Sequence, residues 1–317
     1  MNSLPVWLVV LPLAAALLAV VTPAHSARIG VAAGIAMFLL AVALAWQVAG
    51  NGTLVHALGG WGPGLGITLR ADPLSAALLV MSTLVALAAS WYATGYFTDK
   101  DRQARFWPLW LLLLCALHAM LLSADLFNVY VTLELLGLSA VALAALSGER
   151  AAAAAALRYL TVGLVGSLAF LAGVALIYAK YGSLDMLVLA GVVEAEPATW
   201  FALGLMSAGL LIKSALFPLH FWLPPAHANA PAPVSAALSA LVVKAAVYLM
   251  IRLWLDLFAP ALSPELAWLL GLLGAAAVLW GSWQALRAKR LKLLAAYSTV
   301  AQLGYLFIFF PLLMALP

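Results

Sequence analysis

The chain reads as ten long apolar runs separated by short polar breaks, at approximately 4–22, 29–49, 72–95, 106–122, 124–147, 155–179, 198–218, 231–256, 264–284 and 292–315. A helix needs about 20 residues to cross a hydrocarbon core of roughly 30 Å, and most of these runs reach that length. The pattern predicts an all-α fold, a polytopic transmembrane helical bundle of about ten spans. The fourth and fifth runs are parted only by a short break at Ser123–Asp125. Gly-rich residues 50–66 read as the longest loop, in which Trp61 suits an interfacial anchor.

Composition agrees. Of 317 residues, 67% are hydrophobic and only 8% charged, whereas a soluble domain carries roughly 25% charged residues. So little polar material cannot cover a water-soluble globule, so the solvent of this chain is mostly lipid and other helices. The first run is followed by Pro-Ala-His-Ser-Ala, which resembles a cleavage site. No Lys or Arg precedes the run, as a secretory signal would require, so it is read as the first membrane helix.

The basic residues set an orientation. Loops after odd-numbered runs carry Arg28; Lys100, Arg102 and Arg105; Arg150 and Arg158; and Arg287, Lys289, Arg290 and Lys292. Loops after even-numbered runs carry Arg70, Lys180 and Arg252, a bias of ten to three. Positive charge is retained on the cytoplasmic side, so both termini are expected outside a multi-pass protein of the cell's inner membrane. The same bias explains the net charge of +4 without nucleic acid, because no basic patch is interleaved with aromatics.

Two basic residues remain, and both lie inside apolar runs. Lys213 and Lys244 sit well within their segments, and Glu134 is the one acid deep in any run. Each embedded charge costs on the order of 2.5–3.5 kcal/mol by insertion scales, and Leu or Ala would avoid that cost. A static Glu–Lys pair that orients helices is one reading, and snorkelling is another for Lys244. A proton relay is the reading that employs all three, because embedded groups poised between charge states mark proton paths.

Polar residues near these charges follow helical spacing. Tyr130 lies one turn before Glu134; Ser214 adjoins Lys213, with His220 two turns along the same expected face. Ser235 and Ser239 lead toward Lys244, with Tyr248 one turn beyond, and Ser298, Gln302 and Tyr305 form a further stripe. Pro218 interrupts the Lys213 run, and Pro224, Pro225, Pro231 and Pro233 punctuate the connection to the next. Proline removes a donor and frees carbonyls, and interrupted helices mark ion paths in transporters. His227, within the connection, either passes protons between the lysines or makes a structural hydrogen bond. His118 is expected to be packed or interfacial, and Cys115, the single cysteine, to be a buried inert thiol. No haem, iron–sulfur or zinc ligand set and no phosphate-binding loop is present, so no cofactor or metal is expected, nor direct use of ATP.

Three stretches, DLFNVYVTLELLGLSAVAL, SALFPLHFWLPPAHANAPAPVSAALSALVVKAAVYLMIRL and LKLLAAYSTVAQLGYL, in this order, resemble the proton-conducting antiporter-like subunits. These occur in respiratory complex I, in membrane-bound hydrogenases and in Mrp-type sodium/proton antiporters; the wording around LPPAHANAPAPVS is nearest the Mrp D-type or the quinone-oxidoreductase N-type subunit. The resemblance implies that Glu134 pairs with Lys213, that opening this pair sends a proton along waters to Lys244, and that Lys292 is the lysine opening the LK segment. It implies a helix broken near Pro218, other membrane subunits as partners, and protons with Na+ as the transported ions.

The expected function is a proton-translocating subunit of a multisubunit Na+/H+ antiporter. The alternatives are a proton-pumping subunit of an NADH-quinone oxidoreductase or hydrogenase, in which case it counts as part of an enzyme, and a non-conducting scaffold. The expected layout is N-terminal helices at 1–105, a first antiporter-like repeat at 106–258 and a partial second repeat at 259–317. Family members usually continue for several more helices, so a truncated second inverted repeat is expected.

Overall fold

The computed structural model describes residues 3–61 and 66–315. Nearly every apolar run becomes a helix, for the reason that backbone groups in lipid must be satisfied within the segment. In chain order these are α1 (Leu4–Val21), α2 (Ser26–Asn51), α3 (Pro73–Tyr96), α4 (Lys100–Leu122), α5 (Leu126–Ala144) and α6 (Arg150–Tyr181). There follow a single turn, α7 (Met186–Leu189), then α8 (Pro197–Lys213), α9 (Leu223–Asn229), α10 (Ala232–Ala237) and α11 (Val243–Arg252). The last are α12 (Pro264–Arg287), α13 (Leu291–Ile308) and α14 (Phe310–Ala315). Among the described residues nine helical stretches are long and apolar enough to span a bilayer, and the shorter α8 adds a tenth apolar helix. The protein is a multi-span helical membrane protein.

The region read as a loop after α2 is in part a hairpin. β1 (Leu54–Ala57) pairs antiparallel with β2 (Thr68–Ala71), Leu54 opposite Ala71 and Ala57 opposite Thr68. Four-residue strands beside glycines are too short for an alternation signal, which is why the sequence pattern reads as loop. Residues 62–65 of that stretch lie outside the described residues. β2 leads into α3 through a capping box: Asp72 accepts from the Ser75 amide at 3.0 Å, the Ser75 hydroxyl accepts from the Asp72 amide at 2.9 Å, and Pro73 opens the helix.

The chain forms two compact units, Met1–Ser147 with Pro231–Leu241, and Gly148–Ala230 with Val242–Pro317. In the first, α4 is the central helix: its hydropathic window is 83% buried, against 33–44% for α1, α2, α3 and α5. α1, α2, α3 and α5 surround it. Its polar atoms are tied to neighbours: Trp110 Nε1 donates to Ser90 Oγ at 2.8 Å, and the fully buried His118 donates from Nδ1 to the Leu8 carbonyl at 3.0 Å. His118 is therefore a packed residue, and Cys115 is a buried free thiol. The outer helices turn Leu17, Val21, Trp46 and Trp91 outward, an apolar exterior suited to lipid.

In the second unit, small residues set the helix spacing. A Cβ on Gly209 of α8 would lie 2.3 Å from the Gly166 carbonyl of α6, and one on Gly304 of α13 would lie 2.4 Å from the Gly274 carbonyl of α12. Only a missing side chain permits backbones this close. α6, with 32 residues, is about 48 Å long, more than a bilayer needs. α8, with 17 residues, is about 25 Å long and stops short.

Candidate functional site

α8 ends at Lys213, five residues before Pro218. A proline ring clashes with the carbonyl four residues back and pushes its predecessor out of the helical region, so the break forms ahead of the proline itself. Ala215 takes up the reversal with a left-handed φ of 53°, which an L-residue adopts at a cost of roughly 1–2 kcal/mol. Three of the carbonyls released at the end of α8, those of Leu210, Leu211 and Ile212, find donors. Ser214 N bonds to Leu210 O at 2.8 Å, Leu216 N to Leu211 O at 3.2 Å, and Ala215 N to Ile212 O at 3.1 Å. Trp222 Nε1 also donates to Ile212 O at 3.0 Å. Trp222 in turn stacks on Tyr159 of α6, with ring centroids 4.3 Å apart and planes 9° apart. An aromatic clamp thus fixes the broken segment.

Lys213 occupies the carbonyl end of α8, where a cation is favoured by the helix dipole, and is 8% exposed. The break overturns one expectation. His220 lies in a 3₁₀ turn (Leu219–Trp222) beyond the reversal, so it does not share a helical face with Lys213. Instead, Trp280 of α12 donates from Nε1 to His220 Nε2 at 3.1 Å. A neutral imidazole that accepts at Nε2 carries its proton on Nδ1.

His227 is 3% exposed in α9. Lys292, in the first turn of α13, donates to the Ala230 carbonyl, and Arg290 donates to the Ala228 carbonyl at 3.4 Å. Two cations from the α12–α13 connection therefore meet the carbonyl end of α9. No sequence signal shows this, because the groups that accept are backbone.

Lys244 is half-buried in the first turn of α11, directly after a π-helical stretch, Leu238–Val242. That wider turn means the spacing used to align Ser235 and Ser239 with Lys244 does not hold through this stretch. Beyond Lys244 and Tyr248 the chain carries a charged pair, Arg252 and Asp256, that sequence reasoning missed. Tyr248 lies one turn on; Arg252 Nε donates to its hydroxyl at 3.0 Å, and Arg252 Nη1 pairs with Asp256 at 3.1 Å. Arg252 is 8% exposed and within a helical span (Ala232–Leu257), not in a loop as its place in the charge count assumed. Its spacing of four from both Tyr248 and Asp256 was the available signal.

Glu134 belongs to the first unit, half-buried on α5 one turn after Tyr130. Neither Glu134 nor Lys213 is without a partner. The other five candidates, Lys213, His220, His227, Lys244 and Lys292, all belong to the second unit.

A helix broken beside a buried lysine, followed by a second lysine helix carrying an Arg–Asp pair, defines a polytopic helical membrane protein with charges embedded in its spans. Residues 123–314 match the family described as NADH:quinone oxidoreductase/Mrp antiporter, TM, and residues 64–107 match the N-terminal family of complex I chain 5. The chain belongs to this family of antiporter-like membrane subunits. It is 39% identical over 315 residues to the N-type subunit of NADH-quinone oxidoreductase from Desulforudis audaxviator, covering 96% of this chain and 62% of that one. It is 27% identical over 315 residues to the D-type subunit of the Na(+)/H(+) antiporter from Alkalihalophilus pseudofirmus, covering 96% and 63%. Among solved structures it is similar to a chain of the membrane-bound sulfane sulfur reductase, an archaeal respiratory complex, with TM-score 0.91, 31% identity and coverage of 98% and 65%. It is also similar to a chain of the Mrp complex from Dietzia sp. DQ12-45-1b, with TM-score 0.89, 28% identity and coverage of 98% and 58%. The chain thus spans less than two thirds of the length of these relatives.

Proposed function

We propose that the chain is a proton-translocating subunit of a larger membrane complex, with Lys213 and Lys244 as the proton-carrying groups. The observation that carries this reading is the pairing of a helix break with an embedded cation at Lys213. Breaking a helix costs hydrogen bonds, and embedding a lysine costs more, so their coincidence calls for a role beyond packing. Glu134 takes the part that the family resemblance gives it, the carboxylate whose interaction sets when Lys213 releases its proton. Lys244 receives it, and Tyr248, Arg252 and Asp256 form the polar continuation along the same span, Ala232–Leu257. His220, His227 and Lys292 take supporting parts around the break. The layout of N-terminal helices, a first repeat and a partial second repeat belongs to the same proposal, as do neighbouring membrane subunits and an inner-membrane location with cation-rich loops in the cytoplasm.

The driving partner is proposed to be a redox complex of the quinone-oxidoreductase kind. The 39% identity to an N-type subunit, against 27% to an antiporter D-type subunit, favours it. The Na+/H+ antiporter setting is the second reading, supported by the likeness to a chain of an Mrp complex. Everted vesicles holding the whole complex separate the two. Proton uptake driven by NADH, abolished by Lys213→Ala at matched protein levels, is the expected result. Sodium-evoked collapse of a preset pH gradient, lost in the same variant, would transfer the protein to the antiporter setting. Wild-type behaviour of the variant in both assays would sink the proton reading and leave a scaffold.

A further inference from the structure

Where α12 meets α13 the second unit contains a cavity of about 290 Å³. At about 30 Å³ per water this is room for roughly ten waters. Its wall includes His220, Asn229, Trp280, Gln284, Arg290 and Tyr297. Charge and hydrogen-bonding capacity in that wall point one way. Arg290 supplies the guanidinium and Gln284 and Tyr297 supply amide and hydroxyl donors, while Asn229 already donates to the Pro225 carbonyl at 2.8 Å; among the described residues no carboxylate lines the cavity. Among the described residues neither Gln284 nor Tyr297 spends its side chain on a hydrogen bond within the protein. Arg287 and Lys289 stand in the same short connection and add to the positive field.

The cavity also lies at a particular depth. α12 ends at Arg287 and α13 begins at Leu291, so the connection sits where two membrane spans end. Around it, Trp283 (57% exposed), Leu286 (85%) and Leu291 (82%) turn outward between the cations. Exposed leucines that alternate with arginines and lysines suit the boundary between headgroups and acyl chains, not open water. Arg287 lies over the Trp283 ring at 5.6 Å, as at an aromatic interfacial belt.

We propose that this cavity binds the phosphate headgroup of an anionic phospholipid, with Arg290 as its charge partner, Gln284 and Tyr297 as donors, and Leu286 and Leu291 against its acyl chains. Basic pockets between spans at a membrane surface recognise anionic headgroups in this way. The proposal does not rest on the proton reading, although the cavity shares His220 with it and a bound headgroup would lie beside the Trp280–His220 pair.

The test uses the purified full chain in neutral detergent and counts lipids retained in native mass spectrometry. Phosphatidylglycerol and phosphatidylcholine with identical acyl chains are added in turn. Wild type is expected to retain phosphatidylglycerol in preference to phosphatidylcholine. Arg290→Gln is expected to lose about fivefold in phosphatidylglycerol retention, the worth of one basic residue at a membrane surface. Gln284→Ala, which leaves the Arg290–Ala228 contact in place, guards against a folding defect and is expected to lower retention as well. Arg102→Gln, among the cations in the first turn of α4, is the control expected to match wild type. Equal retention of the two lipids, wild-type retention by both Arg290→Gln and Gln284→Ala, or full displacement by inorganic phosphate would each overturn the proposal.

Discussion

Lys213 and Arg252 answer the same problem, a cation inside an apolar environment, in different ways. Lys213 sits at a helix end whose carbonyl dipoles favour positive charge, and the chain breaks immediately after it. Arg252 stays in mid-helix and is held by Tyr248 and Asp256, one turn away on either side. Replacing Arg252 with Leu leaves Asp256 with a half-buried charge uncompensated. Loss of one partner in a fully buried pair costs about 3–5 kcal/mol. The Asp256 side chain is 29% exposed, so solvent screening reduces this to about 1–2 kcal/mol. Thermal unfolding in detergent should show a lowered transition for Arg252→Leu, largely restored by the double variant Arg252→Leu/Asp256→Asn; a single variant as stable as wild type would show the pair to be idle. The embedded lysines were legible in the sequence because nothing else in an apolar run resembles them. Arg252 was not, because it lies near enough to a run's end to be counted with the loop. The Trp280 bond to His220 and the Lys292 bond to Ala230 were beyond reach, since each joins residues about sixty positions apart.

The helices themselves were legible because membrane helices announce themselves by length and hydropathy. Their interruptions were legible only in part. Pro218 marked the break in the Lys213 run, yet the helix ends five residues earlier, and the aromatic clamp of Trp222 on Tyr159 has no sequence signature. The π-helical turn before Lys244 and the β1–β2 hairpin were invisible, because both depend on backbone hydrogen bonding and not on residue pattern. Glycine placement yields a sharper test at this level. Gly209 sits one turn before Lys213, where α8 touches the backbone of α6. Gly209→Val forces these helices apart and should cost about 1–3 kcal/mol. Gly95 near the end of α3 meets nothing within 4 Å, so Gly95→Ala should instead gain up to about 1 kcal/mol of helix propensity. Unfolding transitions of the two variants should move in opposite directions. A harmless Gly209→Val would mean that the close approach does not set the position of α8.

Taken whole, the molecule carries far more embedded polarity than a scaffold requires. Spans that turn only a third of their residues inward are held largely by small residues, dispersion and neutral hydrogen bonds such as that from His118 to the Leu8 carbonyl, none of which uses a charge. The second unit nevertheless contains Lys213, Lys244 and the Arg252–Asp256 pair, together with a helix broken beside the first. The account therefore stands on the lysines as proton carriers. The most direct test is the initial rate of proton uptake into vesicles that hold the assembled complex, measured for wild type, Lys244→Ala and Lys244→Arg at equal subunit content. Loss of a proton-transfer group lowers rates by on the order of a hundredfold or more. The account predicts that Lys244→Ala falls by that order and that Lys244→Arg, which keeps the charge but cannot release its proton, falls nearly as far. Uptake at the wild-type rate in Lys244→Ala, or full rescue by arginine, would contradict it and make the charge at this position a matter of structure.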